Sequence, residues 1–154
     1  MDLLTQSDER PAQPPSPQER VAWLRLIRSD NVGPVTFYQL VSRYGSALKA
    51  LEALPELAKR GGRKKPFVAY NAARAADEIA KLERTGGCML TPLDTAYPLG
   101  LAQINDAPPI ISVLGRKELL AQKMLAIVGA RNASINGQKF TRKIAAELGE
   151  KGLT

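Results

Sequence analysis

The sequence predicts an α/β protein: a small all-helical N-terminal domain, then the beginning of a parallel-sheet domain. Three observations predict it. Apolar residues recur at helical spacing between Val21 and Leu82. A continuous apolar run, Met124-Leu125-Ala126-Ile127-Val128, has the character of a strand buried on both faces. That run ends in Gly129 and leads through a loop into one more amphipathic helix. With 154 residues, 44% of them hydrophobic and 24% charged, the chain suffices for one ordinary domain or two small ones.

Residues 1–17 hold Pro11, Pro14, Pro15 and Pro17 among polar neighbours and read as a mobile tail, because they cannot bury enough apolar surface to offset chain entropy. Ser16-Pro17-Gln18-Glu19 then has the capping-box order of a helix start. This first helix is predicted to reach about Ser29, turning Val21, Trp23, Leu24 and Ile27 inwards. Asn31-Val32-Gly33-Pro34 breaks it, with Gly33 expected to supply the unusual backbone angle and Pro34 to open the next helix. Phe37, Leu40, Val41 and Tyr44 form the second helical stripe, which Gly45 stops. Ser46 caps a short third helix carrying Leu48, Leu51 and Leu54, expected to end at Pro55.

Five positive charges then fall between Lys59 and Lys65, with Gly61 and Gly62 and no acid, which reads as an exposed loop. A longer helix is predicted from about Pro66 to Arg84, with Val68, Ala72, Ala75, Ile79 and Leu82 on one face. Residues 18–84 therefore make the helical domain, and residues 85–154 the opening portion of the second. In that portion Cys88-Met89-Leu90 and Ile110 to Leu114 are minor strand candidates ahead of the run at 124–128, and the last helix spans about Asn136 to Lys151. The sequence closes on Gly152-Leu153-Thr154, where a second parallel strand is due, so the chain reads as a piece of a longer protein cut inside its second domain.

Net charge is +7 with pI ≈ 9.8, shared as +4 over residues 1–77 and +3 over residues 78–154. That balance suits either a polyanionic partner or a plainly solvated basic surface. The chain has no histidine, which excludes Ser-His triads and histidine metal ligands within it. The lone Cys88 excludes an internal disulfide and a cysteine-rich zinc site. The first ten residues lack a signal peptide's pattern, and no apolar run approaches the roughly 20 residues of a membrane span. A reducing, cytoplasmic setting is expected.

The junction from Ala126 to Gly137 carries the most chemical information. A strand ending in glycine and followed by a helix leaves free N–H groups and a helix N-terminus at the sheet edge where open α/β folds bind ligands. There Gly129 admits a close backbone approach, Arg131 offers a planar fork suited to phosphate, and Ser134 either donates its hydroxyl or caps the helix. A plain strand–loop–helix turn bearing a surface arginine is the alternative. The loop is neither the Gly-x-Gly-x-x-Gly of dinucleotide sites nor a phosphate loop with Gly-Lys-Ser/Thr, and no carboxylate pair stands beside it. The turn at Asn31–Pro34 resembles a helix-hairpin-helix with one of its two usual glycines; it serves either packing or a DNA phosphate.

Between residues 95 and 137 the pieces fall into a familiar order. Tyr97-Pro98-Leu99-Gly100-Leu101-Ala102-Gln103-Ile104, Asp106-Ala107-Pro108-Pro109, the strand ending at Gly115, and Ile127-Val128-Gly129-Ala130-Arg131 with Ser134 and Gly137 resemble the DNA-processing protein A (DprA) family. Residues 18–84 are similar to its sterile-alpha-motif-like (SAM-like) N-terminal domain.

The resemblance implies a Rossmann-like second domain that binds single-stranded DNA without catalysis and without a cofactor. DNA phosphates would be held at Gly129, Ala130, Arg131, Ser134 and Gly137. It further implies protection of incoming single strands during natural transformation, loading of the RecA recombinase, and a homodimer at full length. Ala130 stands where many members have serine, and Asn136 where many have an aromatic residue. The competing expectation is a Rossmann-like nucleotide hydrolase whose catalytic carboxylates lie beyond Thr154; a third is a protein-binding helical module joined to an unrelated domain.

Overall fold

A computed structural model describes residues 14–60 and 68–154. The chain forms two compact units, Met1–Gly115 and Arg116–Thr154. The tail expected at 1–17 and the basic loop expected at 59–65 lie largely outside the described residues.

In the first unit, α1 (Pro17–Ile27) packs against α2 (Pro34–Tyr44), α3 (Ala47–Arg60) and α4 (Ala72–Arg84). Helices of 11 residues are marginal alone, so their order comes from tertiary burial. One apolar cluster joins Ala22, Trp23 and Leu26 of α1 to Phe37 and Leu40 of α2 and to Ala47, Ala50, Leu51 and Leu54 of α3. A second joins Leu24 to Ala75 and Met89, with Val21, Ile79, Leu82 and Ile110 against it. So α1 is apolar on two faces, where the sequence pattern suggested one. Full burial of a side chain such as Leu26 or Phe37 contributes about 1.5–3 kcal/mol. The Trp23 and Phe37 rings meet edge-on with centroids 4.8 Å apart.

Several local expectations are corrected. Ser16 does cap α1, its hydroxyl accepting from the Glu19 N–H at 3.2 Å. The Glu19 carboxylate accepts instead from the Ala47 N–H at the start of α3, so half of the capping box is spent on tying two helices together. At the 31–34 turn the left-handed residue is Asn31, with φ 63°, while Gly33 sits at an ordinary φ of −93°. Asparagine tolerates that region because its short polar side chain can bond locally. Gly45, with φ 82°, ends α2 as expected.

Helix α3 runs through Pro55 to Arg60. A proline inside a helix costs about 3 kcal/mol, but Leu51, Leu54 and Leu57 all lie against the first cluster, and that continuous burial outweighs the break. Leu48, at 40% exposure, belongs to the outer side. Helix α4 starts at Ala72, with the Asn71 side chain accepting from the Arg74 N–H at 3.0 Å. Val68 and Ala72 are exposed and off the buried face, which consists of Ala75, Ile79 and Leu82.

Strands β1 (Cys88–Leu90) and β2 (Ile111–Val113) pair antiparallel, with Met89 opposite Ser112. Between them lie the turn at Thr91–Asp94, buried Tyr97, short α5 (Leu99–Ala102) and buried Pro109. Tyr97 donates its hydroxyl to the Pro108 carbonyl at 2.7 Å, and burial pushes its phenol up to about 12. The Tyr-Pro and Pro-Pro segments thus hold each other in place.

The second unit contains a 3-10 turn (Lys117–Ala121), an extended stretch and α6 (Ile135–Glu150). The buried parallel strand expected at 124–128 is not formed among the described residues: Met124 is 51% exposed and Val128 91%. One bridge is present. The Leu125 N–H donates to the Thr154 carbonyl and the Thr154 N–H to the Lys123 carbonyl, both at 2.9 Å, which is the parallel pattern centred on Met124 and Thr154. A parallel strand is buried by neighbours on the sheet, and a single bridge supplies too little. The chain is therefore a mixed fold, with a helical N-terminal part and a small two-stranded antiparallel sheet.

Candidate nucleic-acid interface

The site expected from sequence lies wholly within the second unit. After Val128 the backbone passes Gly129 and Ala130, turns at Arg131–Asn132 and enters α6 at Ser134. Ser134 is the N-cap, its hydroxyl oxygen accepting from the Gly137 N–H at 3.2 Å. Of the two roles expected for Ser134, capping is the one present, and its hydroxyl hydrogen stays available to a ligand oxygen. The Gln138 side chain donates to the Ala133 carbonyl at 3.0 Å and pins the loop from the other side.

The N–H groups of Ile135 and Asn136, in the first turn, have no intrahelical acceptor and point out of the helix end, where the macrodipole favours an anion. Gly129, Ala130, Arg131 and Ser134 are exposed and Gly137 is half-buried. Among the described residues Arg131 has no ion pair. A Cβ on Gly129 would meet nothing within 4 Å, so no packing demands glycine there. At Gly137 a Cβ would meet Ser134 Oγ at 3.4 Å, an ordinary contact. The loop thus brings five expected residues to one open, positively polarised helix end.

The first unit spends its charges internally. Arg20 donates to both carboxylate oxygens of Asp94 at 2.8 Å and to the Met89 carbonyl at 2.8 Å, tying α1 to the turn after β1. Burial opposes ionisation of Asp94, but hydrogen bonds from Arg20 and from the Thr91 N–H and hydroxyl outweigh it and hold the carboxyl below its usual range. The Asp94 carboxylate in turn raises the Arg20 guanidinium against its own desolvation. Sequence reasoning missed this pair; no spacing rule connects residues 74 positions apart. A hollow of about 250 Å³ beside Leu24, Ile27 and Ile110 is flanked by Arg28 and Glu78, which pair at 2.7 Å and offer it no free charge.

At the 31–34 turn Val32 is buried and Gly33 caps α2 without a side-chain bond. Packing is therefore served there, while the Val35 and Thr36 N–H groups remain open, as at any uncapped helix start. Among the described residues no three His, Cys, Asp or Glu side chains cluster as metal ligands. No described helix is long and apolar enough to cross a membrane.

Fold and site together define a class: a helical N-terminal part joined in sequence to a strand–loop–helix unit with an open basic helix end. The chain belongs to the DprA family. Residues 17–80 match the family described as DprA-like N-terminal HHH domain, and residues 88–154 match DNA recombination-mediator protein A. Among curated relatives, the chain is 29% identical over 146 residues to Protein Smf of Synechocystis, covering 88% of this chain and 37% of that protein. Two Mycobacterium tuberculosis proteins that carry the DNA processing protein DprA name are 33% identical over 91 residues, 51% of this chain and 23% of theirs. The chain thus spans well under half the length of these relatives.

Proposed function

We propose that this chain serves DNA processing in recombination by binding single-stranded DNA, with phosphates seated at Gly129, Ala130, Arg131, Ser134 and Gly137. The observation that carries the reading is the open N-terminus of α6, with free N–H donors beside an exposed Arg131 that has no carboxylate partner among the described residues. Family membership and the names of the relatives support the DNA-processing role. The parallel bridge between Met124 and Thr154 supports a Rossmann-like sheet that grows outward from the 124–128 run.

In the complete protein this activity would protect incoming strands and hand them to the RecA recombinase, in a cytoplasmic homodimer that breaks and makes no bonds. Arginine at the loop supplies a charge-assisted, two-pronged contact to phosphate oxygens. The glycine and alanine before it keep side chains out of the strand's path.

The test is a titration of the chain and its Arg131→Ala variant with labelled single-stranded oligonucleotides at several salt concentrations. The expected variant binds more weakly, with a log–log salt slope shallower by about 0.7, one single-strand phosphate contact. Identical affinity and slope for the two proteins would overturn the assignment. Turnover of a nucleotide by the chain would replace it with the hydrolase reading.

A further inference from the structure

Counted by compact unit, the charge is far from even. Residues 116–154 hold eight basic and three acidic side chains, net +5, while residues 1–115 hold 14 and 12, net +2. Most of the chain's excess charge thus sits in its 39-residue second unit. Within that unit the first nine residues of α6, 135–143, carry Lys139, Arg142 and Lys143 and no acid.

At 100° per residue Lys139 and Arg142 share one face of α6 with Ile135 and Ala146. The opposite face holds Gly137, Ile144 and Leu148, which are half-buried. The basic residues are exposed, and among the described residues only Lys143 has an ion pair, a loose one to Glu147 at 3.8 Å. From Ser134 to Arg142 the helix advances about 12 Å, while phosphates follow one another every ~3.4 Å along a stacked strand. Phe140, between these cations in sequence, is 65% exposed, an aromatic ring that no core claims. A base can stack on such a ring. An acidic peptide or a lipid headgroup has no base to place there.

We propose that the outward face of α6 is a second binding element for single-stranded nucleic acid: Lys139, Arg142 and Lys143 contact consecutive phosphates and Phe140 stacks a base. The strand would run on from Arg131 along the helix. This deepens the proposed function and rests on it.

The test uses the 154-residue chain and four variants checked by circular dichroism: K139Q/R142Q, Arg131→Ala, Phe140→Ala, and K123Q/K151Q as a charge-matched control. Lys123 and Lys151 lie at the far end of the strand and of α6, away from Ser134. Binding is read by anisotropy with oligo-dT and with an abasic strand of equal length. For K139Q/R142Q the salt slope should fall by about 1.4, two phosphate contacts, and the control should lose less than half of that. The chain should bind oligo-dT more tightly than the abasic strand, and Phe140→Ala should erase the difference. An equal slope loss in the control would mean net charge alone acts, and would overturn the proposal. So would equal binding to poly-glutamate or to anionic vesicles. A loss in Arg131→Ala with none in K139Q/R142Q would overturn this proposal and leave the proposed function standing; no loss in either would overturn both.

Discussion

Removing the Asp94 carboxylate should destabilise the first unit by about 2–3 kcal/mol. In Asp94→Ala two charged hydrogen bonds from Arg20 at 2.8 Å disappear, and the Thr91 N–H and hydroxyl lose their acceptor. Breaking a fully buried ion pair costs about 3–5 kcal/mol. The Arg20 and Asp94 side chains keep 19% and 12% of their exposure, so water recovers part of that cost. The reporter is built in: Trp23, the single tryptophan, is buried in the neighbouring turn of α1. Urea unfolding followed by Trp23 fluorescence gives the free energy for the parent chain, Arg20→Ala, Asp94→Ala and the double variant. The two single costs should overlap, with a coupling above about 1 kcal/mol, because each removes the same interaction. Additive costs, or an Asp94→Ala loss below about 0.5 kcal/mol, would refute the claim that this pair ties α1 to the turn after β1.

The same carboxylate sets an acid limit. Its folded pKa is depressed, so its contribution is fully present above the unfolded value near ~3.9 and is lost as pH falls through the folded value. The parent chain should therefore lose urea resistance below about pH 4 more steeply than Asp94→Asn. A Cβ on Gly87 would meet Leu82 Cδ1 at 2.5 Å and the Val113 carbonyl oxygen at 2.8 Å. Gly87→Ala should thus cost about 1–3 kcal/mol by the same urea assay. Gly129→Ala meets open space and should leave the melting temperature unchanged while weakening oligonucleotide binding. Ser134→Ala should lower stability of the second unit by about 1 kcal/mol, the usual value of an N-cap, measured by far-ultraviolet circular dichroism.

Local signals in the sequence read well where the cause is local. Ser16, Ser46 and Asn71 each accept from an N–H three residues on, and Gly45 takes the positive φ that ends α2. Of these Asn71 escaped the sequence reading, because the helix was extended back over it through the apolar Val68. Where a distant partner decides, the pattern was silent or misled. Pro55 looks like a stop until Leu57 is seen to lie on the same core as Leu54. Glu19 looks like a capping-box member until Ala47 arrives at its carboxylate. The five site residues were legible because a glycine-ended strand and a capped helix are adjacent in sequence. The basic row on α6 was not, because dividing charge by halves of the chain hides what dividing it by compact unit reveals.

The second apolar cluster also says where this chain can be cut. Leu24 and Ala75 are covered by Met89 and Ile110, and Arg20 reaches across to Asp94, so the segment 88–115 completes the helices around it. A helical cassette ending at Arg84 would carry a bare apolar seam and an unneutralised arginine into any fusion. One ending at Gly115 would bring its own lid. For the exchange of parts between related proteins, the workable joint is therefore thirty residues downstream of the last long helix of that unit, and the turn after α4 is an interior stitch.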